Sequence, residues 1–313
     1  MIQPSSPAPS RQTTRSWRKV AKWSGALVLS VFGALLVLAW PAFGRSADGE
    51  RLARMQRSPQ WKDAQFHNPE PIVNDITGML TGLFDVSPVA SPSTPMPIER
   101  VDPARFKSAP ASGLRVTWFG HSSILIEIDG QRVLTDPMWS EHSSPISFVG
   151  PTRWFPAPIA LGDLPGIDAV VISHDHYDHL DYKTLRAMRN WKTRFVVPLG
   201  VGAALEGWGI PGERIVELDW WESTRVRELE IVCTPARHAS GRTPFDRDEN
   251  LWAGYAFVGV KHRAYYSGDT GLFPALRTIG EKLGPFDVTL IESGQYTRTW
   301  PDSINVTSNG PSF

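Results

Sequence analysis

The chain has 313 residues, 41% of them apolar and 20% charged, the balance of a globular protein with a packed core. Its 32 basic and 32 acidic residues cancel, which argues against a protein that holds nucleic acid through its phosphates, and no nucleic-acid partner is expected. A single cysteine, Cys233, excludes an internal disulfide and a cysteine-rich zinc site.

Residues 1–22 form a basic segment, with Arg11, Arg15, Arg18, Lys19 and Lys22 and no acid before Asp48. Residues 24–40, "SGALVLSVFGALLVLAW", follow without a charge. As a helix this run spans about 25 Å, slightly short of a hydrocarbon core of about 30 Å, and Val20, Ala21 and Trp23 extend it if Lys22 snorkels. Trp23 and Trp40 stand where interfacial aromatics belong. Residues 23–41 therefore read as a transmembrane anchor whose basic end stays in the cytoplasm. The alternative is a signal peptide cleaved near "PAFG", where Ala42 and Gly44 give a small-x-small site. The length of the apolar run favours the anchor. Both readings put the main domain outside the cytoplasm, at the periplasmic face of a bacterial inner membrane. Residues 42–110 read as linker and tether, with "SPVASPSTPMP" (87–97) extended. The short apolar stretch "GMLTGLFD" (78–85) is expected to pack on the domain or lie at the membrane surface.

The pattern changes in residues 111–302. "LRVTWFG" and "SILIEID" read as strands, Asp129-Gly130 as a hairpin turn, and "QRVLTD" as the returning strand. "AVVIS" (169–173) is an apolar run typical of a strand buried on both faces. "DYKTLRAMRNW" reads as a helix, and "FVV", "LEIVCT", "YAFVG", "AYYSG" and "VTLIES" as later strands. This order predicts two packed sheets with helices outside. Cys233 alternates within a strand and is expected in the core. His67, His142 and His262 have no motif support and are taken as structural or solvated, and Arg153 as a surface residue.

"SHDHYDHLD" (173–181) places three histidines and three aspartates within His174–Asp181, directly after the buried strand. In a loop, His174 and His176 point one way, while Asp178 and His179 point to a neighbouring position. Imidazole with carboxylate suits zinc and related first-row metals. Two pairs of ligands side by side suggest two metals about 3.5–4 Å apart, as in two-metal hydrolases.

His-x-His-x-Asp-His after an apolar strand resembles the metallo-β-lactamase fold. "VTWFGHSSILIEIDGQRVLTDPMWS", "GPTRWFPAPI", "LPGIDAVVISHDHYDHLDY", "VVPLG", "IVELDWWE", "GDTG" and "LGPFD" narrow the likeness to the N-acyl-phosphatidylethanolamine-hydrolysing phospholipase D branch, over residues 114–300. Before that, only "FHNPEP" (66–71) resembles it. The resemblance implies an α+β fold, a metallo-β-lactamase αββα sandwich behind an N-terminal transmembrane helix. It implies two zinc ions: one on His174, His176 and His238, a second on Asp178 and His179, with Asp269 bridging both. Asp136 would orient the ligands from behind, and His121 would lie near the site, orienting ligands or facing substrate. Asp178 and Asp269 would be the catalytic carboxylates. The two zinc ions would make hydroxide available near neutral pH for attack on phosphorus or a carbonyl carbon, with Asp178 orienting it. The implied substrate is a lipid phosphodiester, cut into a phosphatidic acid and an amine-bearing fragment. The membrane, a lipid or other small molecule, and a second copy in a homodimer are the expected partners.

Residues 303–313, "SINVTSNGPSF", resemble nothing in that branch, and no histidine follows His262. The family's last strand and the histidine completing its second metal position have no counterpart. The sandwich is therefore expected to be incomplete at the C-terminus, with the second site weakened. Two other readings follow: an inactive truncated remnant that binds at most one metal, and a lactonase or other hydrolase using the same site.

Overall fold

The computed structural model describes residues 11–70 and 92–293. Helix α1 (Arg11–Phe43) contains one segment, Ala21–Phe43, long and apolar enough to cross a membrane. Within that segment Ala39 and Ala42 are buried, while Trp23, Leu29, Val37 and Trp40 point outward. The helix stops where Gly44 takes a positive φ of 84°, the left-handed conformation that ends helices without a Cβ penalty.

Two sheets follow. The first contains β3 (Leu114–Trp118), β4 (Ile124–Ile128), β5 (Gln131–Thr135), β6 (Ala169–Val171), β7 (Arg194–Pro198) and β8 (Ile215–Leu218), side by side in chain order. Its first three strands are antiparallel and β5 to β8 parallel. The β4–β5 hairpin turns on Asp129 and Gly130, both at positive φ, as the two-residue turn requires. The second sheet has the order β13-β12-β11-β10-β9, from β9 (Ser223–Val226), β10 (Leu229–Thr234), β11 (Gly254–Val258), β12 (Arg263–Tyr266) and β13 (Val288–Leu290). All its pairs are antiparallel except β12–β13.

The period-two alternation of strand side chains sorts the apolar residues into layers. Ile126, Val133, Val171 and Val196 from the first sheet meet Ile231, Cys233, Tyr255 and Phe257 from the second in the central core. Their neighbours Leu125, Leu134, Val170 and Phe195 face outward and are covered by Leu185 of α3 (Tyr182–Ala187) and Leu205 of α4 (Gly202–Gly207). On the far side, Val232, Ala256 and Tyr265 pack on Ile279 of α5 (Ala275–Leu283). The layers are helix, sheet, sheet, helix. The expected strands and the helix after the histidine motif are all present, although that helix is only six residues followed by a 3-10 turn.

The tether differs from the sequence reading at its start. Helix α2 (Gly49–Met55) and a hairpin, β1 (Trp61–Lys62) with β2 (Gln65–Phe66), pack on the domain. Met55 and Phe66 belong to the central core, and Arg51 pairs with Glu206 and Glu217. These contacts come from single apolar residues separated by polar ones, so no periodicity announced them. "GMLTGLFD" and the tail 303–313 lie outside the described residues, as does everything after residue 293.

Candidate metal centre

The candidate residues come from loops that leave the C-terminal ends of five strands. His121 follows β3, Asp136 follows β5, and the segment 174–179 follows β6; His238 follows β10 and Asp269 follows β12. Four of these strands are paired on both sides, and β3, at the sheet edge, pairs with β4 alone. The five loops from two sheets converge at one edge of the sandwich.

Behind the site lies Asp136, wholly buried. Its Oδ1 accepts the Ser173 amide at 2.7 Å, and its Oδ2 accepts the Ser173 hydroxyl at 2.5 Å and the Tyr266 hydroxyl. The same Oδ2 lies 2.6 Å from His179 Nδ1. An ionised carboxylate cannot donate, so the ring must, and Nε2 is left facing the site.

In front, the histidine motif folds as a tight turn, with the His179 and Leu180 amides both donating to the His176 carbonyl. His174 Nε2 lies 2.8 Å from His176 Nδ1, and His238 Nε2 lies 3.3 Å from the same atom. Asp178 and His179 sit beside this group. Asp269 Oδ2 stands between the two halves, 3.3 Å from His179 Nε2 and 3.8 Å from His238 Nε2. It reaches this place because Gly268, at φ 58°, lets the backbone pass Ser173, whose Cβ would lie 2.6 Å from an added Cβ.

His121 lies closer in than a purely peripheral residue. Its Nε2 is 3.1 Å from Asp178 Oδ2 and 3.2 Å from His179 Nε2. The backbone holds it at a φ of 48°, which is uncommon without glycine and often marks a functional position. Trp118 Nε1 donates to its carbonyl at 2.7 Å.

Side-chain nitrogens and carboxylate oxygens thus form three groups whose atoms lie within 4.8 Å of one another: His174, His176 and His238; His121, Asp178 and His179; and His174, His179 and Asp269. His174 Nε2 and His238 Nε2 converge on the same His176 nitrogen, whose single lone pair or proton serves one of them well, whereas a shared cation serves all three. Mixed imidazole and carboxylate donors are the set that divalent first-row metals take. The residues present therefore fit a metal centre.

The electrostatics agree. Burial, reinforced by the neighbouring imidazoles of His179, His176, His238 and His121, pushes the His174 pKa well below the ordinary histidine value. Burial likewise takes His238 down to about 3, against the pull of Asp269. Burial opposes charge on Asp178 and Asp269 too, but His179 and the other facing imidazoles hold both carboxyls well below the usual range. His179 moves the other way: burial disfavours its cation, yet Asp269, Asp178 and Asp136 outweigh that and raise its pKa. The site thus favours neutral rings at His174 and His238 and ionised carboxylates at Asp178 and Asp269, with the proton-holding His179 between those carboxylates.

Several supporting residues were not legible in the sequence. Asn68 holds the His238 backbone from both sides: its Nδ2 donates to the His238 carbonyl at 2.7 Å, and its Oδ1 accepts the His238 amide at 3.1 Å. It lies in "FHNPEP", the one stretch before residue 111 that carried a family likeness, and that was its only signal. Arg153 is not a free surface residue, because its guanidinium donates to the Phe119, Met138 and Phe155 carbonyls. His67, His142 and His262 are spent on structure: His262 Nδ1 lies 2.7 Å from Asp129 Oδ1, and the other two rings meet backbone carbonyls.

Residues 131–310 match the beta-lactamase superfamily domain. An uncharacterized protein of Mycobacterium tuberculosis is 47% identical over 268 residues, 83% of this chain and 71% of that protein. N-acyl-phosphatidylethanolamine-hydrolyzing phospholipase D 1 of Caenorhabditis elegans is 38% identical over 215 residues, 66% of this chain and 60% of that protein. Among solved structures, Igni18, a metallo hydrolase from the archaeon Ignicoccus hospitalis, gives a TM-score of 0.45 at 28% identity, covering 59% of this chain and 72% of that one. With a family match over more than half its length, two sheets between helices and a histidine–aspartate cluster at their edge, the chain belongs to the beta-lactamase superfamily and has the metallo-β-lactamase fold.

Proposed function

We propose that this chain is a membrane-anchored, zinc-dependent phosphodiesterase of the phospholipase D type, acting on lipids like N-acyl-phosphatidylethanolamine. The observation that carries the reading is the pair of triads, His174–His176–His238 and His121–Asp178–His179, with Asp269 placed between them. The 38% identity to the nematode phospholipase D supports the substrate class, and the apolar helix Ala21–Phe43 supports a place at a membrane. The basic segment would keep the N-terminus cytoplasmic and the domain on the periplasmic face.

Two divalent cations held by these triads would supply Lewis-acid chemistry and activate water near neutral pH. The chain's own residues do the rest. Asp178 and Asp269, held ionised, accept the hydrogens of the attacking water and so orient its lone pair toward phosphorus. Asp136 keeps His179 Nε2 directed at the cluster. His121, whose side chain is 43% exposed, stands at the opening of the site, where a head group enters. Hydrolysis would break the P–O bond to the head group, with the water oxygen passing to phosphorus to give phosphatidic acid and a proton passing to the leaving oxygen to give the N-acylethanolamine.

The test is turnover by the full chain in lipid nanodiscs, followed by mass spectrometry of the products. Release of phosphatidic acid from an N-acyl-phosphatidylethanolamine, abolished by a chelator and restored by zinc, is the expected result. Cleavage of acyl-homoserine lactones with no action on the lipid would replace this reading with a lactonase.

A further inference from the structure

Arg242 is 6% exposed and lies outside the histidine cluster, yet it joins three parts of the chain that are far apart in sequence. Its Nε and Nη2 donate to the Ala42 carbonyl at 2.8 and 2.6 Å. Its Nη1 donates to the carbonyls of Asp175 at 2.5 Å and Leu180 at 3.0 Å. Ala42 is in the last turn of α1. Asp175 lies between His174 and His176, and Leu180 follows His179, so one guanidinium grips both ends of the histidine motif and the end of the apolar helix.

The surroundings are built around this contact. The Tyr177 ring lies 4.1 Å from the guanidinium carbon, and the Tyr177 hydroxyl donates to the Arg242 carbonyl at 2.6 Å. Trp208 stacks at 5.4 Å and donates its Nε1 to the Pro41 carbonyl at 2.7 Å. Gly44 passes so near α4 that an added Cβ would meet the Ala204 Cβ at 2.9 Å. The Asp175 carboxylate is turned away from the cluster and accepts the Gly241 amide and the Asn250 side chain at 2.7 and 2.8 Å. A buried guanidinium is tolerated only when its donors are satisfied, and α1 supplies the acceptor for two of the four bonds.

We infer that Arg242 is a positioning residue that makes the last turn of α1 part of the scaffold of the histidine loop, so that α1 stays attached to the working protein and is not removed as a signal peptide. Cleavage at the small-x-small site near Ala42 and Gly44 would take the Ala42 carbonyl away and leave a buried charge with two open donors. The inference rests on reading 174–179 as the metal-holding loop, but its test needs no turnover.

The full chain, purified from membranes in detergent, is first weighed intact. A mass that includes residues 1–44 is expected, and a mature N-terminus at Phe43 or Arg45 overturns the inference. Hydrogen exchange is then followed in Ala42→Phe, which crowds the end of α1 without touching the loop, and in Arg242→Lys and Arg242→Met. Both Ala42→Phe and Arg242→Met are expected to speed amide exchange in 174–181 about tenfold or more while the β4–β5 hairpin is unchanged. Arg242→Lys should recover part of the protection, and the Ala42→Phe/Arg242→Met pair should be no worse than the worse single variant. Zinc loss to a chelator should follow the same order. An unchanged loop in Ala42→Phe, or equal acceleration across the whole domain, overturns the inference even if the lipid assay succeeds. Failure of the lipid assay alone leaves it standing.

Discussion

His179 Nδ1 and Asp136 Oδ2 lie 2.6 Å apart with both side chains fully buried. The pair converts a ring that could present either nitrogen into one that presents Nε2 alone. Asp136→Asn keeps the shape but removes the charge, and the Asn amide can turn its NH2 toward the ring. The expected result is a loss of about 10–100-fold in zinc affinity, the range for groups that orient metal ligands, measured by competition with a chromophoric chelator. Unchanged affinity would mean that His179 is oriented by packing alone.

His121→Ala tests the second triad directly. Asp178 and His179 would keep their places, since His179 is fixed from behind by Asp136. If the site holds two divalent ions as proposed, the expected outcome is a fall to one, counted by elemental analysis, with the thermal midpoint of the metal-free protein shifted little. Two ions retained would return His121 to a substrate-facing or orienting role.

The metal-free protein should have a bell-shaped stability profile in pH. Below pH 6.5 the unfolded chain protonates His238, whose folded pKa is about 3, and His174, which is shifted the same way. The unfolded state therefore binds more protons there, and stability rises with pH from about 3 to about 6.5. Each proton contributes a slope of up to about 1.4 kcal/mol per pH unit. His179 works in the opposite sense: its raised folded pKa gives stability that is complete below about 6.5 and is lost as pH climbs through the folded value. Asp178 and Asp269, shifted down, add to the loss in acid below about 4. Urea titrations from pH 4 to 9 would show this shape, and a profile flat between 4 and 6.5 would refute it. Since zinc requires His179 without its extra proton, zinc binding at pH 7 should release protons into a weak buffer.

The sheets and the motif were legible because each rests on a local rule. Alternation in "SILIEID", the Asp129-Gly130 turn and the continuous run at 169–173 fix strands without knowledge of their partners. His174 to His179 announced themselves by density. The resemblance put His121 near the site, but its contact with Asp178 was not legible, because nothing in "GHSS" shows that β3 brings it there across 57 positions of chain. Arg153 and Arg242 were illegible for a related reason: both spend their charge on backbone carbonyls, and carbonyls leave no trace in side-chain pattern. The packing of residues 45–70 was hidden because two buried anchors, Met55 and Phe66, are too few to make a period.

Asn68, whose only signal in the sequence was the family likeness of "FHNPEP", can be tested alone. It braces His238 through two backbone bonds, and its Oδ1 also accepts the Trp252 indole at 3.2 Å. Asn68→Ala leaves the His238 amide and carbonyl without those partners in a mostly buried place, while the Trp252 indole keeps its bond to the Ala236 carbonyl at 3.0 Å. The expected cost is about 1–3 kcal/mol of stability, the penalty for such unmet groups. Asn68→Asp keeps an acceptor for the His238 amide and the Trp252 indole but sets a carboxylate against the His238 carbonyl, so it removes the brace on that side alone. If the residue only held the fold together, Asn68→Asp would lose less stability than Asn68→Ala and both ions would leave together. If it also sets where His238 Nε2 points, both variants should lose the zinc on His174, His176 and His238 before the other. Cobalt substitution would reveal this as an early change in the visible spectrum of one of the two ions. Simultaneous loss of both ions would assign Asn68 to stability alone.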